Sequence, residues 1–342
     1  MPKLAFTILA LLAALAPWRA QAQQPDAPLL LIGCEDGRDN EILTASSQDG
    51  IDFSSGPAWK PDPSLRCMRD HSLIYYNDKL HKPYWLCACT AATAATAQGT
   101  AVKDDTFALA KSDDLSHWTL LPPVAPGGIK NKITRTWGPY LFQDPADGAI
   151  YVFVTLSTDD DWKGIGYMKC LDPGTWTRWT DWKTFSPLQH QKIGRYNGQA
   201  AYYFGGKYWF FFDDYSGANG YPSAEAYITS PTSLLSGYGP PTYIPSFNSI
   251  LSLDHNYLEE PLKQYRYEGM SLIWMHDNVW RIYDQAIGKV SGVPRNDIMG
   301  FIQSDDNLQT WGPFHFLRDA GHKDAIFSAS HVYRLDNLKP SQ

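Results

Sequence analysis

Two carboxylates stand out because each opens an apolar, strand-like run. Glu268 precedes a glycine in RYEGMSLIWMHDNVWRIYD (Arg266 to Asp284), and Asp70 follows an arginine in RDHSLIYY (Arg69 to Tyr76). A carboxyl that gives a proton and a carboxylate that activates water or attacks directly, set around a sugar-sized cleft, are what cleavage of a glycosidic bond requires. Aromatic side chains suit the flat apolar faces of sugars, and Tyr75, Trp137, Tyr196, Tyr267 and Trp274 lie close to these runs. Other acids have simpler readings. Asp113-Asp114 and Asp305-Asp306 lie in Ser/Asp-rich turns, where aspartate caps backbone amides. Asp159 to Asp161 reads as a solvated loop, and CEDGRDNE (Cys34 to Glu41) could reach the rim of a cleft.

Asp70 and Glu268 are far apart in the chain, so a repeat must bring them together. Pairs of aromatic or β-branched runs around a short polar turn begin at Asp70, Trp137, Asn197, Glu268 and His322, roughly 55–70 residues apart. The turns Asn77-Asp78, Asp147-Gly148, Gly205-Gly206 and Asp277-Asn278 mark these pairs as hairpins. Alternating with them are turns that lead to an aromatic: ILTASSQDGIDF (Ile42 to Phe53), FALAKSDDLSHW (Phe107 to Trp118) and GFIQSDDNLQTW (Gly300 to Trp311), with weaker copies at Tyr167 to Trp179 and Ala226 to Tyr238. A unit of four strands cannot cover its own apolar faces, but such units packed radially cover one another. The repeat therefore predicts an all-β, five-bladed β-propeller. The first outer-type strands complete the last blade and close the ring, and the beginnings of the inner strands gather at one end of the axis. A β-sandwich with coincidental turns is the competing architecture.

Composition agrees with an all-β chain: aromatics are 14%, with 26 glycines and 24 prolines among 342 residues, and no long amphipathic helical pattern is present. The first 22 residues carry a lysine, an apolar run and Ala20-Gln21-Ala22, the form of a secretion signal with its cleavage site. The expectation is a leader over 1–22, a single propeller domain over 23–342, and a secreted or periplasmic location. Net charge is −7, and −9 once Lys3 and Arg19 leave with the leader. That argues against nucleic acid or an anionic membrane as partner and leaves an oligosaccharide or polysaccharide. The five cysteines are too few for a disulfide-built scaffold and read as buried small hydrophobes.

R-D-x-S-x-I at Arg69 to Ile74, W-x-P at Trp137 to Pro139, E-G at Glu268-Gly269 and the S-x-D-L-x-x-W turns, taken in order, resemble glycoside hydrolase family 43 over nearly the whole mature chain. The resemblance implies Asp70 as general base beside Arg69, Glu268 as general acid, and an inverting reaction with the carboxyls roughly 6.5–9.5 Å apart. It implies an aspartate at the head of the third inner strand, where this chain has Asn197. An amide can hold Glu268 by a hydrogen bond but cannot raise its pKa by charge. Either burial or Asp144, Asp213 or Asp214 tunes the acid, or hydrolysis is weak or lost and the propeller binds carbohydrate. A retaining or phosphorolytic relative is a third possibility. His71, Arg195 and Trp137 are candidate substrate contacts, with Arg69. No cofactor is required; a structural calcium ion near the axis is implied for this family, with His322 the candidate beside it.

Overall fold

The computed structural model describes residues 28–35, 41–60, 67–77, 82–92, 105–188, 196–215, 224–244, 266–287, 297–319 and 327–338. The expected leader, Arg195 and His322 lie outside these. Three strands open the described chain: β1 (Leu29–Glu35), β2 (Leu43–Ser47) and β3 (Asp52–Ser55). The next sixteen make four sheets of four: β4 (Cys67–Tyr76), β5 (Tyr84–Ala92), β6 (Phe107–Ser112) and β7 (Thr119–Leu120); β8 (Ile133–Gln143), β9 (Ile150–Thr158), β10 (Trp162–Lys169) and β11 (Lys183–Thr184); β12 (Tyr196–Phe204), β13 (Lys207–Asp214), β14 (Ala224–Ser230) and β15 (Thr242–Tyr243); β16 (Arg266–His276), β17 (Val279–Ile287), β18 (Asp297–Ser304) and β19 (His315–Phe316). The chain then supplies β20 (Arg318–Asp319) and β21 (Phe327–Arg334), which join β1 to β3 in a fifth sheet ordered β20-β3-β2-β1-β21. The result is a five-bladed β-propeller closed by its two chain ends.

The fifth blade differs in one respect from the expected closure. Its innermost strand, β21, begins at Phe327 and pairs with β1 rather than with a hairpin partner of its own. The run LLLIGCE, which forms β1, has no repeat signature and is visible in the sequence only as an apolar stretch.

Apolar clusters fill the gaps between blades, as radial packing demands. Leu29, Leu31 and Phe53 of the closing blade meet Met275, Tyr283 and Phe301 of the fourth. Ile74, Leu86 and Phe107 of the first meet Leu141, Val152 and Trp176 of the second. Strands such as KYWFFFDD are buried on both faces for this reason. Cys34, Cys87, Cys89 and Cys170 are buried in this packing. The Ser/Asp turns do what their composition predicts: Ser112 Oγ accepts the Asp114 and Leu115 amides, and Asp114 Oδ1 accepts those of Ser116 and His117. Among the described residues no helix is long and apolar enough to cross a membrane.

The inner strands β4, β8, β12, β16 and β21 each pack on the next around the axis, and a side chain ties each neighbouring pair. Ser72 Oγ donates to Pro139 O at 2.6 Å and accepts the Leu141 N–H at 3.0 Å. Gln199 Nε2 donates to Gly138 O and, at 3.3 Å, to Trp137 O. Tyr202 OH accepts the Leu272 N–H at 2.9 Å, Ser271 Oγ the Val332 N–H at 3.1 Å, and Tyr333 OH the Leu73 N–H at 2.8 Å. Ser72→Ala removes a buried link and strands an amide and a carbonyl. It is expected to lower unfolding free energy by about 1–3 kcal/mol, read from the urea midpoint at unchanged slope; a loss below about 0.5 kcal/mol would show that the tie carries little.

Candidate active site

Each inner strand breaks register at the same level near its beginning. The irregularity lies between Arg69 and Ser72 on β4, Trp137 and Tyr140 on β8, Asn197 and Ala200 on β12, and Glu268 and Ser271 on β16. In the fifth blade it falls where β21 passes Ile32 to Cys34 of β1. Bulges of this kind bend a strand and re-aim its side chains. The second residue of each bulge in the first four blades is left-handed: Asp70 at φ 55°, Gly138 at 52°, Gly198 at 58° and Gly269 at 90°. Asp70 therefore stands one step later than Glu268 in the common register, in a place that three other blades give to glycine. An L-residue there costs roughly 1 kcal/mol, less for aspartate than for most. Strain of this kind persists only where the surrounding structure holds it.

The bulges bring Asp70, Asn197 and Glu268 to one hollow, which Gly138, Gly198, Gln199, Gly269, Gln285, Ser330 and His331 also line. Its volume is about 20 Å³, room for roughly one water. Thr90 Oγ1 donates to Asp70 Oδ2 at 2.7 Å and accepts the Gly138 N–H at 3.0 Å; Arg69 Nε stands 3.8 Å from the same carboxylate oxygen. His331 Nδ1 meets Ser271 Oγ at 3.0 Å, and burial pushes the imidazole down to about 4, against the smaller upward pull of Asp70.

Behind Glu268 lies a layer of acids with no exposure at all: Asp213, Glu225 and Asp284. Asp213 faces Asn197 across β12 and β13, and Glu225 faces Asp213 across β13 and β14. Burial first, and repulsion from Asp213 second, push Glu225 and Asp284 well above the usual carboxylate range, and burial does the same to Asp213, with Glu268 adding a smaller push to all three. Tyr215 OH reaches Asp213 Oδ2 at 3.5 Å and also meets Glu268. Of the other tuning candidates, Asp214 accepts the Tyr243 hydroxyl at 2.8 Å. Asp144 accepts that of Tyr208 at 2.7 Å and lines a separate cavity of about 1160 Å³ at the far end of the axis.

The remaining expectations divide. Trp137 is half-buried in the middle of β8, its ring 4.8 Å from that of Trp162. His71 is fully buried and is not part of the hollow's lining. Tyr75 and Trp274 line the far cavity, at the wrong end for a sugar bound beside Glu268, and Tyr196 is packed against Phe212. These aromatics sit at strand positions whose end of the axis the repeat alone does not distinguish. Gln199, Gln285, Ser330, His331 and the three buried acids carry no sequence motif. Of these only Asp213 is among the tuning candidates, through the DD that ends β13 opposite the head of β12.

Among the described residues no three His, Cys, Asp or Glu groups are arranged to hold a metal. His331 is already engaged by Ser271, and His322 lies outside the described residues.

The raised acids fix a pH dependence. A carboxyl whose folded pKa exceeds its unfolded value binds more protons in the fold, so stability falls as pH rises above about 4. Glu225→Gln is therefore expected to raise the melting temperature at pH 8 and to lose that advantage toward pH 4. Calorimetry at both pH values checks it, and a variant less stable than the parent at pH 8 would contradict it.

No protein-family profile and no curated protein matches the sequence. Solved structures do. The α-L-arabinofuranosidase from Lactobacillus brevis superposes with a TM-score of 0.54 at 12% identity, covering 84% of this chain and 92% of that one. A family-43 endo-arabinanase from Bacillus licheniformis gives 0.51 at 16%, covering 84% and 93%. Xylan β-1,4-xylosidase from Bacillus halodurans C-125 gives 0.51 at 16%, over 76% of this chain, which spans only 48% of that enzyme. The chain thus has the five-bladed β-propeller fold found in family-43 glycoside hydrolases.

Proposed function

We propose that this chain is an exported glycoside hydrolase that acts on arabinose- or xylose-containing glycans with inversion at the anomeric carbon. The observation that carries the reading is the meeting of Asp70 and Glu268 in one hollow at the axis. In this reaction Asp70 takes a proton from water as its oxygen attacks the anomeric carbon, and Glu268 gives its proton to the departing glycosidic oxygen. Arg69 and Thr90 hold Asp70 in place for that role. The names of the structural neighbours, arabinanase, arabinofuranosidase and xylosidase, support the choice of sugar. The leader over 1–22 supports export.

Glu268→Gln and Asp70→Asn are each expected to cut kcat on an aryl glycoside by about 10²–10⁴-fold with circular dichroism unchanged. Full activity in either variant would reject the assignment. Proton NMR of the first-formed sugar reads the anomer, and a retained configuration would reject inversion. A second reading, carbohydrate binding without hydrolysis, is favoured by Asn197 in place of an acid. Arabinan or xylan oligosaccharides that bind and are not cleaved would select it.

A further inference from the structure

Asn197 is neutral, yet an acid beside Glu268 is not lacking; it lies one strand outward. Asp213 is the register partner of Asn197, and a side chain at Gly198 would collide with its carboxyl, so Asp213 sits directly against the bulge. Its carboxyl lies by the Gly269 amide, while Asp284 Oδ1 accepts the Gln285 N–H at 2.6 Å and its carboxyl lies by the Glu268 amide. The two aspartates thus flank the backbone on both sides of the Glu268 side chain. Glu225 stands behind Asp213 and, among the described residues, finds no donor apart from a proton shared with it.

We propose that Asp213 is a positioning residue for Glu268: backed by Glu225 and Asp284, it fixes the Glu268-Gly269 segment and keeps a proton on the Glu268 carboxyl. The mechanism's use of that proton rests on the hydrolase reading; the geometry does not. The groups around Glu268 are Asp213 on β13, Glu225 on β14, Tyr215 after β13, Asp284 on β17, and, lining the same hollow, Asp70 with Arg69 on β4 and His331 on β21. Among the described residues no lysine or arginine pairs with Asp213, Glu225 or Asp284. Carboxyls packed in this way cannot all ionise. Their coupling is reciprocal, so they bind and release protons as a set.

The test follows Glu268 itself in the full-length protein, by NMR of ¹³C-labelled glutamate carboxyls, its signal identified by its absence in Glu268→Gln. In Asp213→Asn, whose amide oxygen can still face the Gly269 N–H, the Glu268 midpoint is expected to fall by about one pH unit, a tenfold loss of proton affinity. Adding Asn197→Asp to that variant is expected to raise it again. If aryl arabinofuranosides or xylosides are hydrolysed, the alkaline limb of kcat/KM moves down by the same amount. A protein inert on every glycoside removes the hydrolase reading and leaves the titration to decide this one. A Glu268 midpoint that stays or rises in folded Asp213→Asn overturns the proposal. If that variant does not fold, an unmoved midpoint in Glu225→Gln does so instead.

Discussion

Strands that meet at a central axis are sheet edges, and their inward amides and carbonyls have no partner strand to bond. An unmet buried polar group costs about as much as a lost hydrogen bond, so a propeller needs something to cross from blade to blade. Here hydroxyls and an amide do it: Ser72, Gln199, Tyr202, Ser271 and Tyr333 each reach the backbone of the next inner strand. The ring is closed by hydrogen bonds at its centre and by apolar packing farther out. The bulges that aim Asp70 and Glu268 are held at a common level by this ring, because Ser72, Gln199 and Ser271, which supply three of the ties, sit at the bulges themselves.

The two ends of the axis are built on different principles. At the far end the strands finish around a wide cavity with Phe204, Trp274 and Trp280 in its wall. At the near end the chain accepts a left-handed aspartate, a small polar hollow and three fully buried acids. Each of these works against stability, and the interblade clusters supply the surplus that tolerates them. Concentrating such cost at one place is how folds keep reactive groups in unusual protonation states.

How much was legible follows from which forces leave a period in the sequence. Turn chemistry and apolar alternation repeat from blade to blade, so the five-fold architecture could be read, as could the heads of β8, β12 and β16. The bulge does not repeat in residue type, since Asp70 takes a glycine's place, and the one-residue offset between Asp70 and Glu268 was therefore hidden. β1 was missed because its inner partner, β21, is at the other end of the chain, and pairing of that kind has no local signal. Asp213, Glu225 and Asp284 come together only through three strand registers and a blade interface, and Tyr75 and Trp274 were misplaced because a strand's pattern does not tell its two ends apart.

That one-residue offset has a consequence for symmetry. Five like sheets around an axis would present the same kind of group at every step of the circle, which suits a ring of identical ligands and not a reaction with two opposed faces. Because one acid leaves a left-handed residue and the other the residue before such a position, the circle holds two carboxyls in unlike backbone settings. A nearly regular scaffold thereby loses its rotational symmetry at its centre, and a handed molecule entering it would meet a different group on each side.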